Sequence, residues 1–442
     1  MRLKSSANRV FVALGMVWCA APVFAADLLQ VYRAALANDQ QYVAARAASD
    51  ALREKLPQGL STLLPTLGAT TSTTWNNNKY NSDSTDTRYN VNKQYNTNAY
   101  NVQLTQPLFR WQNYVQYGQG KLQVVQADAN FAQAAQDLIV RVAGAYFDVL
   151  YAQENLKAVL ANKQSIAQQL EQAKKNFEVG TATITDSQEA QSRYDLASAQ
   201  EIAAINDLDV KRYALRVIVG KDSGELNRLK PPQPASMEQW VDAAQKDSFA
   251  VQAQQAASEV AAKEIERARA GHYPTVDAIA NYGRNNSALS FLGNDSLQTD
   301  ARNVGLQLNI PIFQGGYVNS KTREAVANRA AADAALEAAK RSAALNTQQS
   351  YLGVVNGLAQ VKALDAALVS STSALESNKL GYEVGVRINI DVLNAEQQVY
   401  VTKRDLSKAR FDTLLAQLKL KAAVGSLSEA DLEQINPLFE AP

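Results

Sequence analysis

The chain is written twice, and no other feature constrains its fold as much. Phe177-Glu-Val-Gly180 and Tyr382-Glu-Val-Gly385 lie 205 positions apart, and the same spacing separates Asp186 from Asp391 and Gly220 from Gly425. Earlier in each copy, Leu63-Leu-Pro65-Thr-Leu67 is answered by His272-Tyr-Pro274-Thr-Val276, and Gln106-Pro107-Leu-Phe109 by Ile310-Pro311-Ile-Phe313. A period this long exceeds any solenoid unit, so two like halves predict a pseudo-symmetric protomer. The expected division is 26–225 for a first half of short helix, strand pair and long helical hairpin, 226–240 for a linker, 241–435 for the second half, and 436–442 for a tail.

Residues 1–25 read as a secretory signal peptide. Arg2, Lys4 and Arg9 precede an apolar run from Val10 to Cys19, and Val23-Phe-Ala25 places small residues before a cleavage point. Cys19 is the only cysteine, so the mature chain would have neither disulfides nor thiolate metal ligands. Removing the three basic residues leaves 41 Lys and Arg against 43 Asp and Glu, a balance with no basic footprint for nucleic acid. Beyond the signal, no stretch of about 18 uncharged apolar residues occurs, so membrane insertion would have to use strands.

Proline is absent from Leu108 to Lys230 and from Ile312 to Asn436, and both stretches are rich in Ala, Gln, Leu, Glu and Lys. They read as long helices. In the first, Leu138, Val142, Ala145, Val149, Ala152, Leu156 and Val159 step by four and three, and the seam resumes at Ile166, Leu170, Ala173 and Phe177 with Lys163 as its one interruption. The second keeps a weaker copy in Val354, Val361, Leu364, Leu368, Leu375 and Tyr382. A helix from about Trp111 to Asn176 would be roughly 100 Å long. The pattern breaks at Val179-Gly180 and Val384-Gly385 and restarts after Thr185-Asp186 and Asp391, side chains suited to capping a returning helix.

Between the helical blocks the period changes from 3.6 to 2. Tyr100, Val102 and Leu104 alternate with polar neighbours, as do Val304, Leu306, Leu308 and Ile310, and partner strands are expected at Thr66–Trp75 and Thr275–Tyr282. The linkers 76–97 and 283–301, rich in Asn, Ser, Asp, Thr and Gly, read as long solvent loops. Four strands with one apolar face have the pattern of an outer-membrane barrel but cannot close one. Open edges in lipid leave backbone groups unpaired, so other copies must finish the sheet, and three copies would leave room for a lumen.

The order of signal, short helix, strand pair, long helix, Val-Gly turn with Thr185-Asp186, returning helix and a repetition ending in Gly381-Tyr-Glu-Val-Gly385-Val-Arg387-Ile-Asn-Ile-Asp391-Val-Leu-Asn394 resembles the TolC family of outer-membrane efflux and type I secretion channels. The resemblance covers Ala26 to about Glu433. It implies a mainly α fold with a transmembrane β part: a homotrimeric β-barrel, four strands per protomer, continued into the periplasm as an α-helical barrel. The linker with Pro231, Pro232 and Pro234 would sit at its equator. Its implied role is the exit duct of a tripartite system in the Gram-negative outer membrane, partnered by outer-membrane lipid, a periplasmic adaptor and an inner-membrane pump or ABC exporter.

The same resemblance implies site residues. Asp391 would form an acidic ring at the periplasmic constriction. Asn394 stands where many relatives carry a second carboxylate, which implies weaker cation selectivity and weaker block by multivalent cations. Tyr382 and Arg387 would tether the second hairpin to the first near Thr185 and Asp186, and untwisting would open the duct. Gly180 and Gly385 match turns that receive adaptor tips. Plainer roles remain open at this level: Asp186 and Asp391 as helix caps, the glycines as terminators, Tyr382 as a seam residue, Arg387 as a solvated charge. No catalytic, cofactor-binding or metal-binding motif stands out; His272, the sole histidine, sits beside Tyr273-Pro274 at a strand start. A soluble periplasmic coiled-coil adaptor is the competing reading, although it leaves the alternating strands without a purpose.

Overall fold

The computed structural model describes residues 27–80, 91–181, 183–220, 236–287 and 297–435. The expected signal peptide, the tail at 436–442 and the proline-rich part of the linker lie outside them. In chain order the elements are α1 (Leu28–Asn38), α2 (Gln40–Arg53), α3 (Lys55–Ser61), β1 (Thr66–Tyr80), β2 (Val91–Phe109), α4 (Trp111–Glu178), α5 (Ile184–Val219), α6 (Met237–Asp247), α7 (Phe249–Arg269), β3 (Thr275–Ser287), β4 (Leu297–Asn309), α8 (Tyr317–Glu383), α9 (Asn389–Ala423) and α10 (Glu429–Ile435). At 68 and 67 residues, α4 and α8 each extend about 100 Å.

The four strands form one antiparallel sheet in the order β1-β2-β3-β4. Register fixes its two faces. Leu67 pairs with Leu104, Leu104 with Ala280, and Ala280 with Val304; the row below joins Ala278 to Leu306. One residue away, Gly68, Gln103, Asn281 and Asn303 make a row on the opposite face. Since side chains alternate between faces, one side is apolar and the other polar. Trp111, Tyr114, Phe313 and Tyr317 are exposed where the strands give way to helices, and Tyr100 and Tyr282 are exposed higher on the sheet. These aromatics bracket the apolar band in the manner of a membrane-strand girdle.

The strands are longer than the alternation indicated, and the segments read as solvent loops are a correction. Most of 76–97 and of 283–301 is strand; what remains, 81–90 and 288–296, lies outside the described residues. Asn is a poor strand former in isolation, but here it bonds across the ladder. Thr73 Oγ1 donates to Asn98 Oδ1 at 2.6 Å, and Asn76 Nδ2 to Thr97 Oγ1 at 3.0 Å. At 13 to 19 residues the strands exceed the 9–11 or so that cross a bilayer.

The helical seam is as expected at Leu138, Val142, Val149, Ala152, Val159, Ile166, Leu170 and Ala173, all buried, while Phe177 is exposed near the turn. Lys163, the break in the pattern, is neutralised by Glu201 on α5 at 2.6 Å and lies over the Tyr194 ring. The largest apolar core sits at mid-height, where Leu28 and Val31 of α1, Tyr146 and Phe147 of α4, Leu215 of α5 and Phe411 and Leu414 of α9 meet. Towards the turns the apolar clusters shrink to groups such as Ile166, Ala197 and Leu393. Stability is therefore concentrated at the middle and thin at the distal end.

One polar fixture anchors that core. Asp39, buried between α1 and α2, accepts from Arg141 on α4 through both carboxylate oxygens, at 2.9 and 3.0 Å, and from the Tyr42 amide at 2.7 Å. Burial pushes the Asp39 carboxyl up, but Arg141 and the Tyr42 amide outweigh it and hold it below its ordinary value. A depressed carboxylate stabilises the fold above its unfolded value of about 4, and that contribution disappears as pH falls through the lower folded value. Arg141→Ala, which strands a buried charge, is expected to cost about 3 kcal/mol at pH 7. Chemical denaturation at pH 7 and pH 3 checks this: the gap between variant and wild type should narrow at the acid end.

Within the protomer, α4 packs against α5 on one side and α9 on the other, and α9 packs against α8. Two flanks remain uncovered: β1 with α5, and β4 with α8. Ile202, Tyr213 and Val217 of α5 and Val369 and Leu380 of α8 are exposed apolar residues on those flanks. The accessible surface, 28000 Å² for 48.0 kDa, is far above the roughly 16,500 Å² of a compact monomer of that mass. Among the described helices, α8 alone has an 18-residue stretch apolar enough by length and composition to cross a membrane, and only 11% of that stretch is buried. It is a fraction of a helix far longer than a bilayer is thick.

Candidate functional site at the hairpin turns

The distal turns of the two halves share one backbone solution. After α4, the Thr181 amide donates to the Asn176 carbonyl and the Gly180 amide to the Phe177 carbonyl; after α8, Val386 donates to Gly381 and Gly385 to Tyr382. Both are Schellman terminations. They need a left-handed residue, which Gly180 and Gly385 supply at φ +79°. A Cβ built at either glycine meets nothing within 4 Å, so both turns present open backbone at the tip.

The returning helices start differently. Thr183 caps α5: its Oγ1 accepts from the Asp186 amide at 3.3 Å, and the Asp186 carboxylate accepts from the Thr183 amide at 3.0 Å. This capping box sits two residues earlier than the Thr185-Asp186 start indicated, because the first-turn amides need an acceptor before, not within, the helix. At the duplicated position α9 has Ile388, which offers no side-chain acceptor. Asp391, the counterpart of Asp186, is thereby left out of a cap and lies 3.7 Å from Arg387. That pair is half-exposed and four residues apart in sequence, so it contributes at most about 1 kcal/mol.

The cross-hairpin contacts are likewise more specific than expected. Tyr382 does reach the first hairpin, but its hydroxyl accepts from Asn176 Nδ2 of α4 at 3.2 Å rather than bonding Thr185 or Asp186. Asp186 is committed to its cap, Thr185 is exposed, and Arg387 turns to Asp391 within its own hairpin. The two residues expected at the constriction differ: Asp391 is half-buried, while exposed Asn394 accepts from Arg193 of α5 at 3.2 Å.

Glu396 was missed by sequence reasoning. It is 7% exposed, accepts from Ser165 Oγ at 2.7 Å and Gln169 Nε2 at 2.6 Å, both on α4, and lies 2.9 Å from Lys379 Nζ on α8. Its only sequence signal is its place two residues beyond Asn394 on a face shared with Val392, Val399 and Leu406.

An amphipathic sheet with girdled apolar rows, continued by two hairpins about 100 Å long whose turns expose glycine backbone, defines a channel-forming outer-membrane protein with a helical extension. Residues 31–221 and 240–426 match the model of the outer membrane efflux protein family, and the chain belongs to that family. The outer membrane protein TolC of Vibrio cholerae is 33% identical over 435 residues, 97% of each chain. The alkaline protease secretion protein AprF of Pseudomonas aeruginosa is 32% identical across 94% of this chain and 88% of its own. Among solved structures, the Campylobacter jejuni CmeC outer membrane channel superposes with a TM-score of 0.79 at 15% identity, over 98% of this chain and 96% of that one, which shows the shared fold. The protein is thus an outer-membrane exit duct for efflux or type I secretion, and the soluble coiled-coil adaptor reading is set aside.

Proposed function

We propose that three copies close one duct, with Asp391 and Asn394 lining its periplasmic constriction and the second hairpin moving to open it. The observation that carries this reading is the pair of uncovered flanks. One flank offers the β1 edge and α5, the other the β4 edge and α8, so copies joined head to tail pair β4 with β1 and α8 with α5. Heterologous contacts of this kind close into rings, and four strands from each of three copies make a barrel wide enough for a lumen. Such a ring leaves no open strand edge in lipid.

The duct acts without chemistry or a cofactor of its own; a periplasmic adaptor at the Gly180 and Gly385 turns couples it to an inner-membrane pump or ABC exporter. AprF bears a protease-secretion name, which supports a polypeptide-exporting partner as one option for this chain. Native mass measurement in detergent should give three copies, and planar-bilayer recording should show conduction; a non-conducting monomer would sink the proposal. Gly385→Val places a β-branched residue at φ +79° on an otherwise open tip. It is expected to leave mass and conduction intact while lowering export from cells several-fold, and unchanged export would remove the turn from the adaptor interface.

A further inference from the structure

We propose that the cleft between α4, α7, α8 and α9 at mid-height binds a small oxyanion of the phosphate class, seated on the open N-terminus of α7 with Ser248 and Asn346 as hydrogen-bonding partners and Lys419 as counter-charge. The duplication makes the case. α1 and α6 are both 11 residues long, and each ends against a left-handed glycine that follows a returning helix: Asn38 lies against Gly220, and Asp247 against Gly425. The next residue stands at the N-cap of a second helix, Asp39 for α2 and Ser248 for α7. Arg141, which pairs with Asp39, is answered 205 positions on by Asn346 of α8. The second copy has therefore lost both charges of the buried pair.

In their place is a cleft of about 550 Å³, lined among others by Ser248, Phe249, Ala250, Asn346 and Lys419. α7 has neither a side-chain cap nor an acid in its first turn, so the amides there have no side-chain acceptor. Ser248 is only 7% exposed, lines the cleft, and its hydroxyl makes no hydrogen bond among the described residues. Lys419 stands where α5 has Ala214, so the second copy has regained a cation without an anion. No carboxylate among the described residues pairs with it, although Asp412, two turns back, feels its charge. Helix N-termini attract anions through free amides and the macrodipole. An oxyanion here would do for α7 what the Asp39 carboxylate does for α2, and water would share the remaining volume. Asp137 is the one carboxylate lining the cleft, and it opposes an anion. All four helices belong to one protomer, so the site needs no residue from a neighbouring copy.

Equilibrium dialysis of the detergent-purified full-length protein against radiolabelled inorganic phosphate, at fixed ionic strength in chloride, tests this. Saturable binding of one phosphate per protomer is expected. Lys419→Ala, at an exposed position, should weaken it about tenfold or more through loss of a charged donor. Asp137→Asn should tighten it several-fold, and Ser248→Asp, which supplies the cap carboxylate from the chain itself, should abolish it. Assembly of each variant is checked on unheated gels. Competition separates two sources of the ligand: equal displacement by glycerol 3-phosphate supports a phosphate ester, and displacement by unlabelled inorganic phosphate alone supports the free ion. Absence of saturable binding to the wild type, or wild-type affinity in the assembled Lys419→Ala variant, would overturn the proposal.

Discussion

Replacing Asn394 by aspartate is expected to tighten block by a trivalent cation about ten- to a hundredfold. One carboxylate at about 6 Å attracts such an ion by roughly 2 kcal/mol even at the dielectric of water, and a three-copy ring adds three carboxylates. Ionic screening and the Arg193 guanidinium, which already reaches Asn394 at 3.2 Å, take back part of that gain. Block constants from single-channel recordings with a trivalent metal ammine give the answer. Asp391→Asn should weaken block in the same assay. If neither substitution changes it, the two positions do not face the lumen.

Leu306→Arg should prevent stable assembly. Leu306 lies on the apolar face of β4, 73% exposed in the protomer, between Val304 and Leu308. An arginine facing lipid near the bilayer midplane costs about 2–4 kcal/mol per strand, and the ring would carry three. Gln307→Arg, one residue along on the polar face, is the control and should assemble. Unheated gel electrophoresis and flotation of outer-membrane vesicles distinguish the two. Equal assembly of both variants would mean that the apolar face does not contact lipid.

Much of this architecture was legible because it repeats with a short period. Alternation around Tyr100–Thr105 and Val304–Ile310 marked the strands, and proline-free seams marked helices that follow the reading to within a few residues. The strand ends were hidden because a side-chain amide suits a turn as well as a ladder: Asn76 and Asn98 are turn formers alone and ladder partners only beside Thr97 and Thr73. The turn glycines were readable from the 205-residue echo. The true cap was not, because Thr183 and Thr185 both satisfy the local pattern and only backbone direction chooses between them. Glu396 was beyond reach for a different reason: a carboxylate on a helix looks solvated until a second helix brings Ser165 and Gln169 to it.

The exchange of Thr183 for Ile388 between otherwise matched helix starts has a mechanical meaning. α5 has its first turn stitched to its preceding residue, whereas the first turn of α9 lacks that side-chain cap and frays at lower cost. In the opening proposed above, that difference makes the second hairpin the lever with the softer hinge.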